Sequence, residues 1–285
     1  MLSTPQICEW SWQCLWYNFV LFHKTSDRKK LYYELYGRAG SERWLVFLNG
    51  LVQSTAAWAI MLPFLKPSFR IVLLDLIFQG RSDKDGEARD FDRHAADVAG
   101  LLYALGAKKV GLIGISYGSL VAQHFALNFP ERLERLILLS TFANKTAYYE
   151  AIEHSWLNAL EAGGTSLLFD VMLPLALGDN YFKRPPISLD MLRKANAEIN
   201  SDSSAIGKLM AAMRLRGDYR RELRRVRTPT LVVHGEHDLI FPLSMGREAA
   251  VAIPGSRFEV VPGAGHTLNL EAVPETATLI ARFMA

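Results

Sequence analysis

A chain of 285 residues, 50% hydrophobic and 21% charged, can bury one large core and is too apolar to be disordered. A net charge of +3 argues against a nucleic-acid protein, and two cysteines, Cys8 and Cys14, are too few for a secreted disulfide framework, so a cytoplasmic location is expected.

Residues 7 to 22 carry Trp10, Trp12, Trp16, Tyr17 and Phe19. Glu9, Gln13 and Asn18 interrupt the run, which falls short of the roughly 20 apolar residues a membrane span needs. We expect residues 1–30 to form an N-terminal extension leading into a first strand around Tyr17 to Phe22, with no membrane span. The aromatic density leaves a peripheral membrane anchor as the alternative.

After a polar turn at Thr25 to Lys29, Leu31 to Gly37 reads as the second strand of a hairpin. From there strands and helices alternate. Strands are expected at Trp44 to Leu48, Arg70 to Asp75, Val110 to Ile113, Leu133 to Leu139, Thr230 to Val233 and Arg257 to Val261. Helices are expected at Thr55 to Leu65, Phe91 to Leu105, Tyr117 to Phe129, Ser244 to Ala252 and Glu271 to Met284. This order implies an α/β fold, a mostly parallel central sheet with helices on both faces, built from residues 31–140 and 228–285. Between them, residues 141–227 read as helices (147–161, 165–176, 188–200 and 203–215), a helical cap inserted after the sixth strand. Such an insertion should lie over the C-terminal edge of the sheet, where open α/β folds bind ligands. Its apolar residues, among them Trp156, Phe169, Met172 and Met213, either pack the cap's own core or line a pocket beneath it.

The apolar run Val110-Gly111-Leu112-Ile113 is followed by Gly114-Ile115-Ser116-Tyr117-Gly118 and then by helical spacing. A serine on a tight strand-to-helix turn, with small residues two positions away on each side, is an exposed nucleophile. Its hydroxyl needs a base, and the base needs a carboxylate. Asp238, in His234-Gly235-Glu236-His237-Asp238, and His266, in Pro262-Gly263-Ala264-Gly265-His266, both follow strands and so fall at the same sheet edge as Ser116. Glu236 is a rival acid. His234 and His237 have no companions at metal-ligand spacing, so neither a metal nor a cofactor is expected. His124 reads as packing or solvated and His94 as a surface residue. Donors for an oxyanion are expected from the backbone N–H of Tyr117 and, in the loop Asn49-Gly50-Leu51-Val52-Gln53, of Leu51.

Together with Asp75-Leu76-Ile77-Phe78-Gln79-Gly80-Arg81-Ser82, these motifs resemble the α/β-hydrolase superfamily over Leu31 to Ala285. The chain departs from most members by having Asn49-Gly50 for His-Gly and Ile77-Phe78-Gln79-Gly80 for Arg-Gly-x-Gly. Asn-Gly followed by Ser54-Thr55-Ala56-Ala57-Trp58, and the form Asp-Leu-x-Phe-x-Gly-x-Ser, are similar to the acyltransferase subgroup of hydroxyalkanoyloxyalkanoate synthase and 3-hydroxyacyl-ACP:CoA transacylase. That subgroup has Trp where Tyr117 stands. The resemblance implies an acyl-enzyme on Ser116, with acyl carrier protein or coenzyme A as candidate acyl donors. The arginines at 214, 216, 220, 221, 224, 225 and 227 then read either as a docking face for an acidic carrier or as a solvated helix.

The sequence therefore points to a serine hydrolase or acyltransferase acting on a small apolar ester or thioester. A non-catalytic binding member of the fold would be expected to have lost part of the Ser116–Asp238–His266 set. A cofactor-free haloperoxidase or a carbon–carbon hydrolase would use the same residues.

Overall fold

The computed structural model describes residues 21–38 and 40–285. The aromatic N-terminal stretch and both cysteines lie outside the described residues, as does most of the first strand expected at 17–22. Strands β1 (Leu21–Lys24), β2 (Lys30–Gly37), β3 (Trp44–Leu48), β4 (Arg70–Leu74), β5 (Val110–Ile115), β6 (Leu133–Leu139), β7 (Thr230–Gly235) and β8 (Arg257–Val261) form one sheet. Its order is β1-β2-β4-β3-β5-β6-β7-β8. Only β2 is antiparallel to its neighbours, β1 and β4; every other pair is parallel.

The helices follow in chain order: α1 (Leu62–Leu65), α2 (Phe91–Ala104), α3 (Tyr117–Asn128), α4 (Ala147–Ala176), α5 (Asp179–Lys183), α6 (Leu189–Ile199), α7 (Ser203–Leu215), α8 (Arg220–Leu223), α9 (Leu243–Ala252), α10 (Leu268–Glu271) and α11 (Val273–Met284). The single helix expected at 55–65 is a 3-10 turn over Thr55–Met61 that becomes α-helical only at α1. Pro63 in the first turn of α1 has no N–H to donate back into the preceding turn, so the α-helix begins there. The expected helices at 147–161 and 165–176 are two arms of α4, broken where Gly163 and Gly164 leave helical geometry. By length and composition α4 could cross a membrane, but it is kinked and lies within the cap.

Side chains alternate along each strand, and both sides of the sheet are covered. Val46 and Leu48 of β3 pack with Val98, Leu101, Leu120 and Val121 of α2 and α3. Leu45 and Phe47 face the other way, toward Trp58, Leu65, Ile280 and Met284. Strands enclosed in this way need apolar residues on both faces, which explains their unbroken hydrophobic runs.

His94 of α2, expected at the surface, is completely buried, and neither ring nitrogen has a hydrogen-bond partner. It meets the Tyr117 ring edge-on at 5.8 Å. The correction follows from helical periodicity: His94 shares the stripe of Phe91, Ala95, Val98, Leu101 and Leu102, all of which face the sheet. His124 packs as expected, its ring stacked on Tyr219 at 4.4 Å and its Nδ1 2.7 Å from Asp92 Oδ1.

Burial pushes the His94 pKa down to about 3 from 6.5, so the native ring is neutral where the unfolded one takes up a proton. A depressed value gives stability that is complete above the unfolded pKa and is lost as pH falls toward the folded one, with a slope of about 1.4 kcal/mol per pH unit for one proton. Urea denaturation between about pH 7 and about pH 4.5 should therefore show falling stability, and His94→Leu should decline less steeply by about one proton's slope. Equal slopes in the two proteins would contradict this.

Candidate active site

Ser116, between β5 and α3, has φ 52° and ψ −117°, a conformation that costs a non-glycine residue free energy and turns its side chain out of the sheet. The turn fits only because its flanks have no side chains. A Cβ on Gly114 would lie 2.2 Å from the Gly118 carbonyl oxygen, and one on Gly118 would lie 2.4 Å from the Leu48 carbonyl oxygen. The Ser116 amide donates to Leu139 O at 3.0 Å, and Ser119 Oγ donates to Ser116 O at 2.6 Å.

Asp238 and His266 meet behind the serine. Asp238 Oδ1 accepts from the amides of Ile240 (3.0 Å) and Phe241 (2.8 Å). His266 Nδ1 lies 2.9 Å from Asp238 Oδ1 and 2.8 Å from Oδ2. A nitrogen facing two carboxylate oxygens is the protonated one, which leaves the lone pair of the neutral ring on Nε2. The Phe241 ring stands edge-on to the imidazole at 5.0 Å, and Ser140 Oγ donates to His266 O at 2.8 Å. His266 and Ser116 line a single cavity of about 330 Å³ beneath the cap.

The rival groups are placed elsewhere. The Glu236 carboxylate is exposed and accepts from the Gly263 amide at 2.9 Å, with exposed His237 3.7 Å away. His234 is fully buried; its Nε2 accepts from the Thr141 amide at 2.9 Å, and burial pushes its pKa down to about 4, so it is neutral.

Leu51 also lines the cavity, and a Cβ on the preceding Gly50 would come within 3.6 Å of Ser116 Cβ. Among the described residues, neither the Leu51 nor the Tyr117 amide donates to a protein acceptor. The Tyr117 side chain points away, packed against Phe91.

Residues to which the sequence motifs gave no role hold the Leu51 loop. Asn49 Nδ2 donates to Leu74 O (2.9 Å) and Asp75 Oδ1 (3.0 Å), and Asn49 Oδ1 accepts from Trp58 Nε1 (2.9 Å). Gln79 Nε2 donates to Gly50 O at 2.8 Å, and Asn200 reaches from the cap to Val52 O at 2.7 Å. Burial pushes the Asp75 carboxyl above its usual range, and the Arg81 and Thr55 amides pull it back. Asn49 is a position where the chain departs from the common superfamily pattern, so that departure was an available signal, whereas Gln79 stands at the unspecified position of Arg-Gly-x-Gly and gave none.

Among the cap residues expected to pack or to line a pocket, Trp156, Phe169, Met172, Leu173, Leu177 and Met213 line the cavity, and three of these, Trp156, Met172 and Met213, also pack in the core with Leu168 and Leu209. In the arginine run six residues are exposed and one is not. Arg216 is buried, donating to Gln123 Oε1 at 2.5 Å, and Arg220 pairs with Asp218 and Glu248. Arg224, Arg225 and Arg227 precede β7, at the sheet edge opposite Ser116.

A family model described as the alpha/beta hydrolase fold matches residues 43–170 and 182–273. The chain is 28% identical over 269 residues to the AB hydrolase superfamily protein YisY of Bacillus subtilis, covering 91% of this chain and 97% of that one. It is 27% identical over 269 residues to a non-heme haloperoxidase of Rhodococcus erythropolis, covering 88% and 96% respectively. The structure superposes on the enol-lactonase of Burkholderia xenovorans LB400 with a TM-score of 0.83 and 25% identity, covering 93% of this chain and 99% of the lactonase.

The packing at the serine turn predicts that Gly118→Ala forces backbone to move at Leu48 and destabilises the fold by about 2 kcal/mol or more. Urea denaturation measures this, and a loss below about half a kcal/mol would show that the turn has room to spare.

Proposed function

The chain belongs to the alpha/beta hydrolase fold family, and on that premise we propose that it cleaves an uncharged, largely apolar ester through an acyl-enzyme on Ser116. One observation carries the reading. The Asp238–His266 pair opens onto a cavity shared with Ser116 and Leu51, and among the described residues lining it there is no Asp, Glu, Lys or Arg. A substrate carboxylate or phosphate would be buried there without a cationic partner, at a cost of several kcal/mol.

His266 Nε2 takes the Ser116 proton as Oγ attacks the ester carbonyl, and the Leu51 and Tyr117 amides receive the oxyanion. Collapse expels the alkoxide, which recovers the proton from His266. Water, deprotonated by the same nitrogen, then releases the acid and restores the serine. A thioester of coenzyme A or of an acyl carrier protein offers the same electrophile, and transfer to an alcohol or thiol would replace only the final water.

A fluorophosphonate probe should label the wild type and leave Ser116→Ala unlabelled. The wild type should hydrolyse a neutral p-nitrophenyl alkanoate with a kcat/KM at least about 10²-fold above that of the matching ester with a terminal carboxylate on its acyl chain. Labelling of neither protein would overturn the covalent mechanism, and equal rates on the two esters would overturn the substrate class. Free acid against acyl product, measured with an added alcohol or thiol, separates hydrolysis from transfer.

A further inference from the structure

Among the described residues, one half-buried anchor next to the site has no part in the chemistry above. The carboxylate of Glu271, at the end of α10, collects donors from two separate parts of the chain. Its Oε2 accepts from the amides of Gly178 (2.7 Å), between α4 and α5 of the cap, and Gly265 (2.9 Å), directly before His266. Its Oε1 accepts from the Thr267 amide (3.0 Å) and from Thr267 Oγ1 (2.8 Å), directly after His266. The amide between those two, that of His266 itself, donates to Ala176 O at the end of α4, at 2.9 Å.

The three consecutive amides at 265, 266 and 267 are thus held alternately by Glu271, by the cap and by Glu271 again. The contact is also close-packed: a Cβ on Gly265 would lie 2.5 Å from the Gly178 nitrogen, and one on Gly178 would lie 2.9 Å from the Gly265 nitrogen. From this arrangement, and resting on the reading of His266 as the base, we propose that Glu271 is a positioning residue. It joins the histidine loop and the end of α4 into one rigid piece, so that the base is in register only while the cap is seated.

The chemistry of the joint calls for an anion. All four of its groups donate, and a carboxylate offers two accepting oxygens with no hydrogen. In Glu271→Gln one oxygen becomes an NH₂ that must face a donor, so either the Gly178 and Gly265 amides or the Thr267 pair is left without an acceptor. Glu271→Asp keeps the charge but is one methylene short of spanning both sets.

The test uses the full-length protein and two readouts. Hydrogen exchange at the Gly178, Gly265 and Thr267 amides is expected to speed up together by about tenfold or more in Glu271→Gln, whether or not any substrate is turned over. On a neutral p-nitrophenyl ester, kcat should fall about tenfold or more while KM stays within about twofold, because the cavity is unchanged and only the base has lost its register. Glu271→Asp should give intermediate values on both counts, and it takes over the test if the Gln variant does not fold. Unchanged exchange at Gly178 in a folded variant, or an unchanged kcat, would overturn the proposal. A wild type without esterase activity would defeat the functional reading alone, since the exchange result is independent of it.

Discussion

Everything at the site depends on keeping one serine in a left-handed backbone conformation where β5 meets α3. Such a conformation costs of order 1–3 kcal/mol and persists only where its surroundings allow no alternative. Those surroundings are packed backbone on one side and a polar network on the other. Ser119 joins Ser116 O to Thr141 Oγ1, Gln123 ties that hydroxyl to Phe142 O, and Arg216 closes the chain by donating to Gln123 and to Ala143 O. Apart from Arg216 Nε, which has no hydrogen-bond partner among the described residues, these buried groups are paired with one another, so releasing one link leaves its neighbour unpaired in a low-dielectric interior.

The same network reaches Asp238, the partner of His266. The Thr141 amide occupies His234 Nε2, which puts the proton of that neutral ring on Nδ1, 3.8 Å from Asp238 Oδ2. At that distance the ring makes no hydrogen bond; it contributes a dipole with its positive end turned toward the carboxylate. Direct support for Asp238 comes from the two backbone amides at 240 and 241 and from His266. Backbone donors from the loop that carries the carboxylate are already oriented, so little ordering entropy is spent in holding the charge.

The elements legible in the sequence are those whose physics is local. Parallel strands buried on both faces show as short apolar runs, and the residues that follow them, in glycine-rich loops, must share a sheet edge, which is how Ser116, Asp238 and His266 could be grouped from their spacing along the chain. His94 had a local signal too, since its helical stripe is visible in the sequence; a polar residue type misleads when it is weighed above its position. Glu271 had no such signal. Its partners, Gly178 and Gly265, lie 93 and 6 positions away, and only the folded cap brings them together. The arginine run shows the complementary limit: neighbours in sequence differ in their surroundings, Arg216 lying in a buried network and Arg220 in two surface ion pairs.

A cavity without fixed charges, placed over the proposed triad, has a consequence for chemistry as well as for binding. In the mechanism proposed above, with apolar walls and little competing polarity, the negative charge developing on a substrate carbonyl oxygen would interact with the Leu51 and Tyr117 amides in a weakly screening medium, where such donors act most strongly. On the same proposal the imidazolium formed on His266 would be neutralised by Asp238, which already contacts its Nδ1. Charge separation is therefore confined to the short line from Asp238 through His266 to the oxyanion. The rest of the cavity has only to exclude water and fit an apolar chain, so the same core can serve different acyl groups by changing side chains such as Trp156, Met172 and Met213, without disturbing the reacting centre.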